Sequence, residues 1–264
     1  MTIDPAIRAH ISSVLADIAR NEGVRILYAA ESGSRAWGFG SPDSDYDVRF
    51  IYAHPPSWYL RLAGERDVIE RPLDDRLVDL GGWDVRKALR LGLKSNPVLY
   101  EWLCSPIVYA DDGAFGSAAK ALFERHASRD RVAYHYHSIA KKQWRCEIED
   151  RERVKLKKYF YIIRPLLSLD WVACHQGPPP MALAPLMEAS ALSAAMRGVI
   201  EALRIKKRDT PELGLEPRIA ALDDWALSEL ARLDPAGLDL PKTGQLSAGV
   251  EADALFQRAI GFAV

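Results

Sequence analysis

Strand-forming runs crowd into the first part of this 264-residue chain and then stop. VRILYAA (24–30) and YDVRFIYA (46–53) read as strands, RDVIE (66–70) and RLVDL (76–80) offer two more, and SPIVYA (105–110) can return to the same sheet. Beyond about residue 128 almost no strand signal is left. Helical periodicity covers stretches near 130–149, 152–175 and 187–207, separated by breaks such as GPPP at 177–180. This asymmetry predicts an α+β (mixed α/β) domain over 1–127 followed by an all-helical domain over 128–264. Asp4-Pro5 opens the first helix as N-cap and first helical residue, Ile7, Ile11, Val14, Leu15 and Ile18 give it an apolar stripe, and Gly23 ends it. Arg164-Pro165 is expected to kink or split the helix of 152–175.

Composition narrows the class. Lys plus Arg number 35 against 36 Asp plus Glu, and 48% of residues are hydrophobic, as in ordinary globular chains. The balance argues against disorder and against bulk electrostatic coating of nucleic acid, while leaving room for a local basic face. Cys104, Cys146 and Cys174 form neither a disulfide framework nor a zinc pattern. No window approaches the roughly 18 apolar residues of a membrane span. A cytoplasmic location with no membrane partner is the expectation.

The chemistry concentrates between residues 33 and 47. Gly33-Ser34 stands at the end of the first strand, and Asp45-Tyr46-Asp47 follows after a ten-residue spacer, 35–44. Residues i and i+2 of a strand face the same way, so Asp45 and Asp47 can present two carboxylates side by side. Adjacent carboxylates repel unless a cation sits between them, and hard oxygen donors suit Mg²⁺. A glycine and a hydroxyl at a strand end let backbone N–H groups approach a phosphate. Metal carboxylates beside a phosphate cradle point to nucleotidyl transfer. The bland alternative is a solvated turn, since Asp and Ser are common turn formers.

Other motifs fail on particular residues. A calcium loop starting at Asp43 would need glycine where Val48 stands and glutamate where His54 stands. Gly33 and Gly38 have P-loop spacing, but Phe39-Gly40 occupies the Lys-Ser/Thr positions.

Gly-Ser, a spacer and Asp-x-Asp on a strand resemble the signature of the DNA polymerase β-like nucleotidyltransferase superfamily. More narrowly, ESGSRAWGFGSPDSDYDVRFIY, GGWDVRKALRLGLKSNPVLYEWLCSPIVY and KLKKYFYIIRPLL resemble the RNA-ligase-associated nucleotidyltransferase (RlaP) family, over about residues 25–175. The resemblance implies a polymerase β-like mixed sheet with flanking helices, Gly33 and Ser34 in the phosphate role, and Asp45 and Asp47 in the metal role. It also implies a third carboxylate on a later strand. Asp79 is the first candidate, Asp84 the rival, although it fits an N-cap, and Glu70 a third possibility.

Arg35, after the Gly-Ser turn, is positioned to reach a triphosphate, whereas Arg49, of the same strand parity as the aspartates, can serve simply to neutralise them. Trp37 and Phe39 either stack on a base or pack beneath the turn. Lys87 and Lys94 share a helix face. For Lys94 a phosphate contact, implied because the resemblance covers its segment, weighs level with plain solvation. Lys157, Tyr161 and Arg164 follow i, i+4, i+7 spacing, and basic groups interleaved with aromatics suit a triphosphate or polynucleotide. An amphipathic helix with solvated lysines is the equal alternative.

The expected activity is therefore a Mg²⁺- or Mn²⁺-dependent transfer of NMP from an NTP, ATP among them, to a hydroxyl. An RNA end under repair is the acceptor that the family context suggests. The competing readings are a non-catalytic nucleotide- or RNA-binding or antitoxin-like module on the same fold, and an enzyme modifying a protein hydroxyl.

Overall fold

The structure, a computed structural model, describes residues 3–62, 64, 66–209, 214–241 and 246–262. The chain divides into two compact units. One takes residues 1–36, 44–127 and 243–264, the other 37–43 and 128–242.

The first unit is a five-stranded mixed sheet with helices on both faces. Its strands are β1 (Arg25–Glu31), β2 (Tyr46–Ala53), β3 (Val68–Arg71), β4 (Val78–Asp84) and β5 (Val108–Asp111), in the order β3-β4-β2-β1-β5. Only β2 and β4 run parallel; every other pairing is antiparallel. Helix α1 (Pro5–Glu22) lies on one face, where Ile11, Leu15 and Ile18 meet Val48, Phe50, Tyr52, Val78 and Leu80. Its ends match the sequence signals: the Asp4 side chain accepts from the Ala6 N–H at 2.7 Å, and Gly23, at φ 63°, closes it in the left-handed conformation.

After α2 (Gly33–Ala36) and α3 (Pro56–Tyr59), helices α4 (Val85–Leu93), α5 (Pro97–Leu103) and α6 (Phe115–His126) cover the other face. They bury Leu27, Ile51 and Ala53 with Leu89, Trp102 and Phe115. The last helix, Leu246–Ile260, also packs here through Ala252, Leu255 and Ala259. The odd positions of β2 explain the partial cover: Ile51 and Ala53 are buried, whereas Asp47 and Arg49 at the other end of the same face stay half-exposed. The helices leave that end of the sheet open.

The second unit is built on α7 (Arg129–Glu147), α8 (Phe160–Cys174), α9 (Leu183–Ala189), α10 (Ala194–Asp209) and α11 (Ala220–Arg232). Their core includes Trp144, Phe160, Ile163, Leu167, Leu186 and Ile200.

Three expectations need correction. The domain limits expected at 1–127 and 128–264 are crossed twice, because the last helix joins the first unit and 37–43 joins the second. An apolar helix stripe does not specify its partner, and this one is satisfied by α4 and α6. The second unit is not all-helical: β6 (Arg153–Lys155) pairs antiparallel with β7 (Leu215–Pro217), strands too short to carry a periodicity. Pro165 does not split its helix. The break falls earlier, at β6 and a 3₁₀ turn over Leu156–Tyr159, and α8 runs through Pro165. Among the described residues no helix is long and apolar enough to cross a membrane.

Candidate active site

The site begins where β1 ends. Gly33 sits at φ 56°, and a Cβ built on it would lie 1.9 Å from Asp47 Oδ2. No other residue type fits without moving the carboxylate. The turn is tied to β2 by the Ser32 N–H, which donates to the Asp47 carbonyl at 2.8 Å. Ser34 follows, half-buried, in the first turn of α2.

Asp47 and Asp79 are register partners across the parallel β2–β4 pair. The Arg49 guanidinium lies between them, donating to Asp47 Oδ1 at 3.0 Å and to Asp79 Oδ2 at 2.7 Å. Burial raises the Asp47 carboxyl above its ordinary range; Arg49 opposes that rise and Asp79 adds to it. Asp45 is exposed just ahead of β2 and contributes a further negative charge near Asp47.

One functional candidate escaped the sequence reading. Glu31, the last residue of β1, is fully buried. Its carboxyl accepts from the Asp47 backbone N–H at 3.0 Å and from the Tyr109 hydroxyl at 2.5 Å. Burial pushes its pKa up to about 7, against the lowering effect of those hydrogen bonds. The available signal was a charged residue closing an otherwise apolar strand, immediately before the Gly-Ser turn.

The other candidates separate. Asp84 is the N-cap of α4, accepting from the Arg86 N–H at 2.8 Å and from the Tyr59 hydroxyl at 2.7 Å, and it is fully buried. Glu70 is exposed on β3 and pairs with Arg66. Only Asp79 is brought beside Asp47. Arg35, expected to reach a triphosphate, is nearly buried instead: it donates to the Ser44 carbonyl at 2.6 Å and lies 3.9 Å from the Tyr46 ring centre. It clamps the entry to β2. Lys94 is exposed and caps α4, and Lys87 is paired with Asp67 at 2.9 Å.

In the second unit the i, i+4, i+7 pattern is interrupted. Lys157 belongs to the 3₁₀ turn, while Tyr161 and Arg164 lie on α8. Both of these meet Trp37, Tyr161 edge-on at 5.6 Å and Arg164 with its guanidinium 4.7 Å from the ring centre. Arg164 is buried and donates to the Met181 carbonyl at 2.9 Å, so it is built into the unit's interior. Phe39 stacks on Phe160 at 4.4 Å and is a core residue.

Among the described residues no three His, Cys, Asp or Glu side chains are gathered as a formed metal cage. The donor chemistry nevertheless fits a hard divalent cation: two carboxylates face one another and already hold a cationic group between them.

The family model for RlaP, the RNA repair pathway DNA polymerase beta family, matches residues 7–258. The chain belongs to this family. The uncharacterized protein YcgL of Bacillus subtilis (strain 168) is 41% identical over 233 residues, 88% of this chain and 89% of that protein. A nucleotidyltransferase-like protein from Exiguobacterium sibiricum 255-15 aligns over 96% of this chain and 80% of its own, with 11% identity and a TM-score of 0.30. RlaP membership makes this a polymerase β-type nucleotidyltransferase chain by family.

Proposed function

We propose that this protein transfers NMP from an NTP to a hydroxyl acceptor, with an RNA end as the favoured acceptor. The observation that carries the reading is the register pairing of Asp47 with Asp79 against a glycine that has no room for a side chain. Asp47, with Asp45 and Asp79, would hold Mg²⁺ or Mn²⁺, which supplies charge neutralisation for the phosphates. Backbone N–H groups at Gly33-Ser34 receive the terminal phosphates. The acceptor oxygen bonds to the α-phosphorus, the bond from that phosphorus to the β-phosphate oxygen breaks, and pyrophosphate leaves with the electron pair. The acceptor proton passes to the Asp79 carboxylate. Glu31 and Arg35 act indirectly, by fixing the Asp47 backbone and the entry to β2.

One observation favours a non-catalytic module on the same fold: Arg49 already neutralises both carboxylates. The experiment that separates the two is incubation with each α-³²P-NTP and Mg²⁺ or Mn²⁺, with RNA oligonucleotides, with protein alone and with cell extract. Asp45→Asn, Asp47→Asn and Asp79→Asn are run alongside. Label transferred to RNA by wild type alone supports the proposal. Label on a protein band changes the acceptor, NTP binding without transfer in any arm favours the non-catalytic module or a different acceptor, and neither transfer nor NTP binding sinks catalysis.

A further inference from the structure

We infer that the open end of the helix-covered sheet face is a binding site for a nucleoside that carries the acceptor hydroxyl. The ribose lies at Asp79 and the base against Trp83. A trough of about 610 Å³ runs along β4 from Asp79 to Trp83, within the size range of small-molecule sites. Asp79, Gly81 and Trp83 alternate along the strand with the buried Leu80 and Gly82, so these three positions form its floor and ends.

The two glycines differ in what they require. At Gly82 a Cβ would meet the Phe50 ring at 2.2 Å, so the core imposes that glycine. At Gly81 the nearest atom to a Cβ is Arg49 Nη1 at 3.4 Å, and its φ lies outside the left-handed region. Neither backbone nor packing demands glycine there. Its consequence is an open floor between the carboxylate and the tryptophan.

The far wall is aromatic and braced. Trp83 is half-buried, and its ring lies 4.0 Å from that of Trp102 on α5, which is itself buried. Val68 and Pro72 add apolar surface, and Glu70 and Arg71 line the trough near its edge. An indole held in place is a stacking platform for any base. From Asp79 to Trp83 the strand advances roughly 13 Å, a span that a ribose and base fill once both side chains reach inward. A hydroxyl presented on a peptide would need Asp79 but no aromatic wall four residues away. The shared chemistry is that of a nucleoside, either free or at the end of a strand.

The assignment of the hydroxyl to Asp79 rests on the nucleotidyl-transfer reading; the pocket itself is tested without turnover. Calorimetric titration of the full-length protein would use adenosine, guanosine, cytidine and uridine, a short oligoribonucleotide, and a tyrosine- and serine-containing peptide, with Mg²⁺·NTP titrated separately. Wild type is compared with Gly81→Leu, which fills the floor, and with Trp83→Ala and Trp83→Phe, each checked for cooperative unfolding. Gly81→Leu and Trp83→Ala should weaken nucleoside binding by about tenfold or more, with Trp83→Phe restoring most of it and Mg²⁺·NTP binding unchanged. Stronger binding of the oligoribonucleotide than of free nucleosides names a strand end; equal binding names the free nucleoside. The inference is overturned if wild type binds neither nucleosides nor the oligoribonucleotide, if only the peptide binds, or if Gly81→Leu and Trp83→Ala both bind nucleosides as wild type does. Nucleoside binding without Mg²⁺·NTP binding would instead overturn the transfer reading and leave the pocket standing.

Discussion

Asp47 on β2 and Asp79 on β4 face one another across a parallel strand pair, and a single guanidinium, that of Arg49, bonds both at 3.0 and 2.7 Å. The cation in this site is thus supplied by the chain itself. A divalent ion that uses the same oxygens must compete with two charge-assisted hydrogen bonds.

Removing the competitor should therefore tighten metal binding. Arg49→Ala is expected to lower the Mn²⁺ dissociation constant by about tenfold, since hydrogen bonds to charged groups contribute about 1.5–3 kcal/mol and tenfold corresponds to about 1.4. The metal-free variant should melt lower than wild type, because Asp47 and Asp79 then repel without a counter-charge. Calorimetry or Mn²⁺ electron paramagnetic resonance measures the affinity directly. Unchanged or weaker binding in Arg49→Ala would show that the arginine does not occupy the metal's position.

Gly33 and Gly38 allow a matched comparison. Both have positive φ, at 56° and 88°, but a Cβ at Gly33 meets the Asp47 carboxylate whereas one at Gly38 meets nothing within 4 Å. Gly38→Ala should cost about 1 kcal/mol, the strain of the backbone conformation alone. Gly33→Ala should cost more, about 2–4 kcal/mol, and should also weaken Mn²⁺ binding by displacing Asp47. Equal losses in chemical denaturation would mean that the carboxylate moves aside freely.

Glu31 makes stability depend on pH in a stated direction. Its pKa is raised by burial from 4.5 to about 7, so between those values the folded state retains a proton that the unfolded chain has lost. The stabilising contribution is fully present below pH 4.5 and is lost as pH rises through about 7, on the order of 3 kcal/mol in all. Glu31→Gln keeps an acceptor for the Asp47 N–H and cannot ionise. The wild-type minus variant stability difference should fall across that window and level off above it. A flat difference from pH 4.5 to 8 would mean Glu31 does not retain its proton.

Asp79 and Asp84 should respond oppositely. Asp84→Ala removes a helix cap and leaves the half-buried Tyr59 without the acceptor for its hydroxyl, at a cost of about 2–4 kcal/mol. Asp79→Asn removes one half-exposed charge from beside Asp47 and should leave the melting temperature within a few degrees while abolishing nucleotidyl transfer. Loss of transfer in a folded Asp84 variant, with Asp79→Asn active, would reverse the assignment.

What was legible in the sequence was local. β2 spans Tyr46–Ala53, the same residues as the expected run, because alternation over eight residues is a short-range signal. The Asp4 cap, the Gly23 stop and the Gly-Ser turn before Asp45 and Asp47 were readable for the same reason. Arg35 and Arg164 each end against a backbone carbonyl, a placement that was not legible because an arginine's type does not reveal whether a carbonyl or solvent surrounds it. The sequence sees the donor and not its acceptor.

Which of Asp79, Asp84 and Glu70 comes beside Asp47 belonged to the tertiary structure. Each lies on or at the end of a strand, and composition treats them alike. The register of β4 against β2 decides, and both faces of β4 set that register together: Val78 and Leu80 must pack on the α1 side while Gly81 and Trp83 face the other. A slip of one residue would send Asp79 into the apolar core and Leu80 toward Arg49, at the desolvation cost of a buried charge. The sequence alone determined the Gly33 turn and the strand that carries Asp47. Packing between segments about thirty residues apart decided that Asp79 would come beside Asp47 and Arg49, because no local periodicity carries information over that separation.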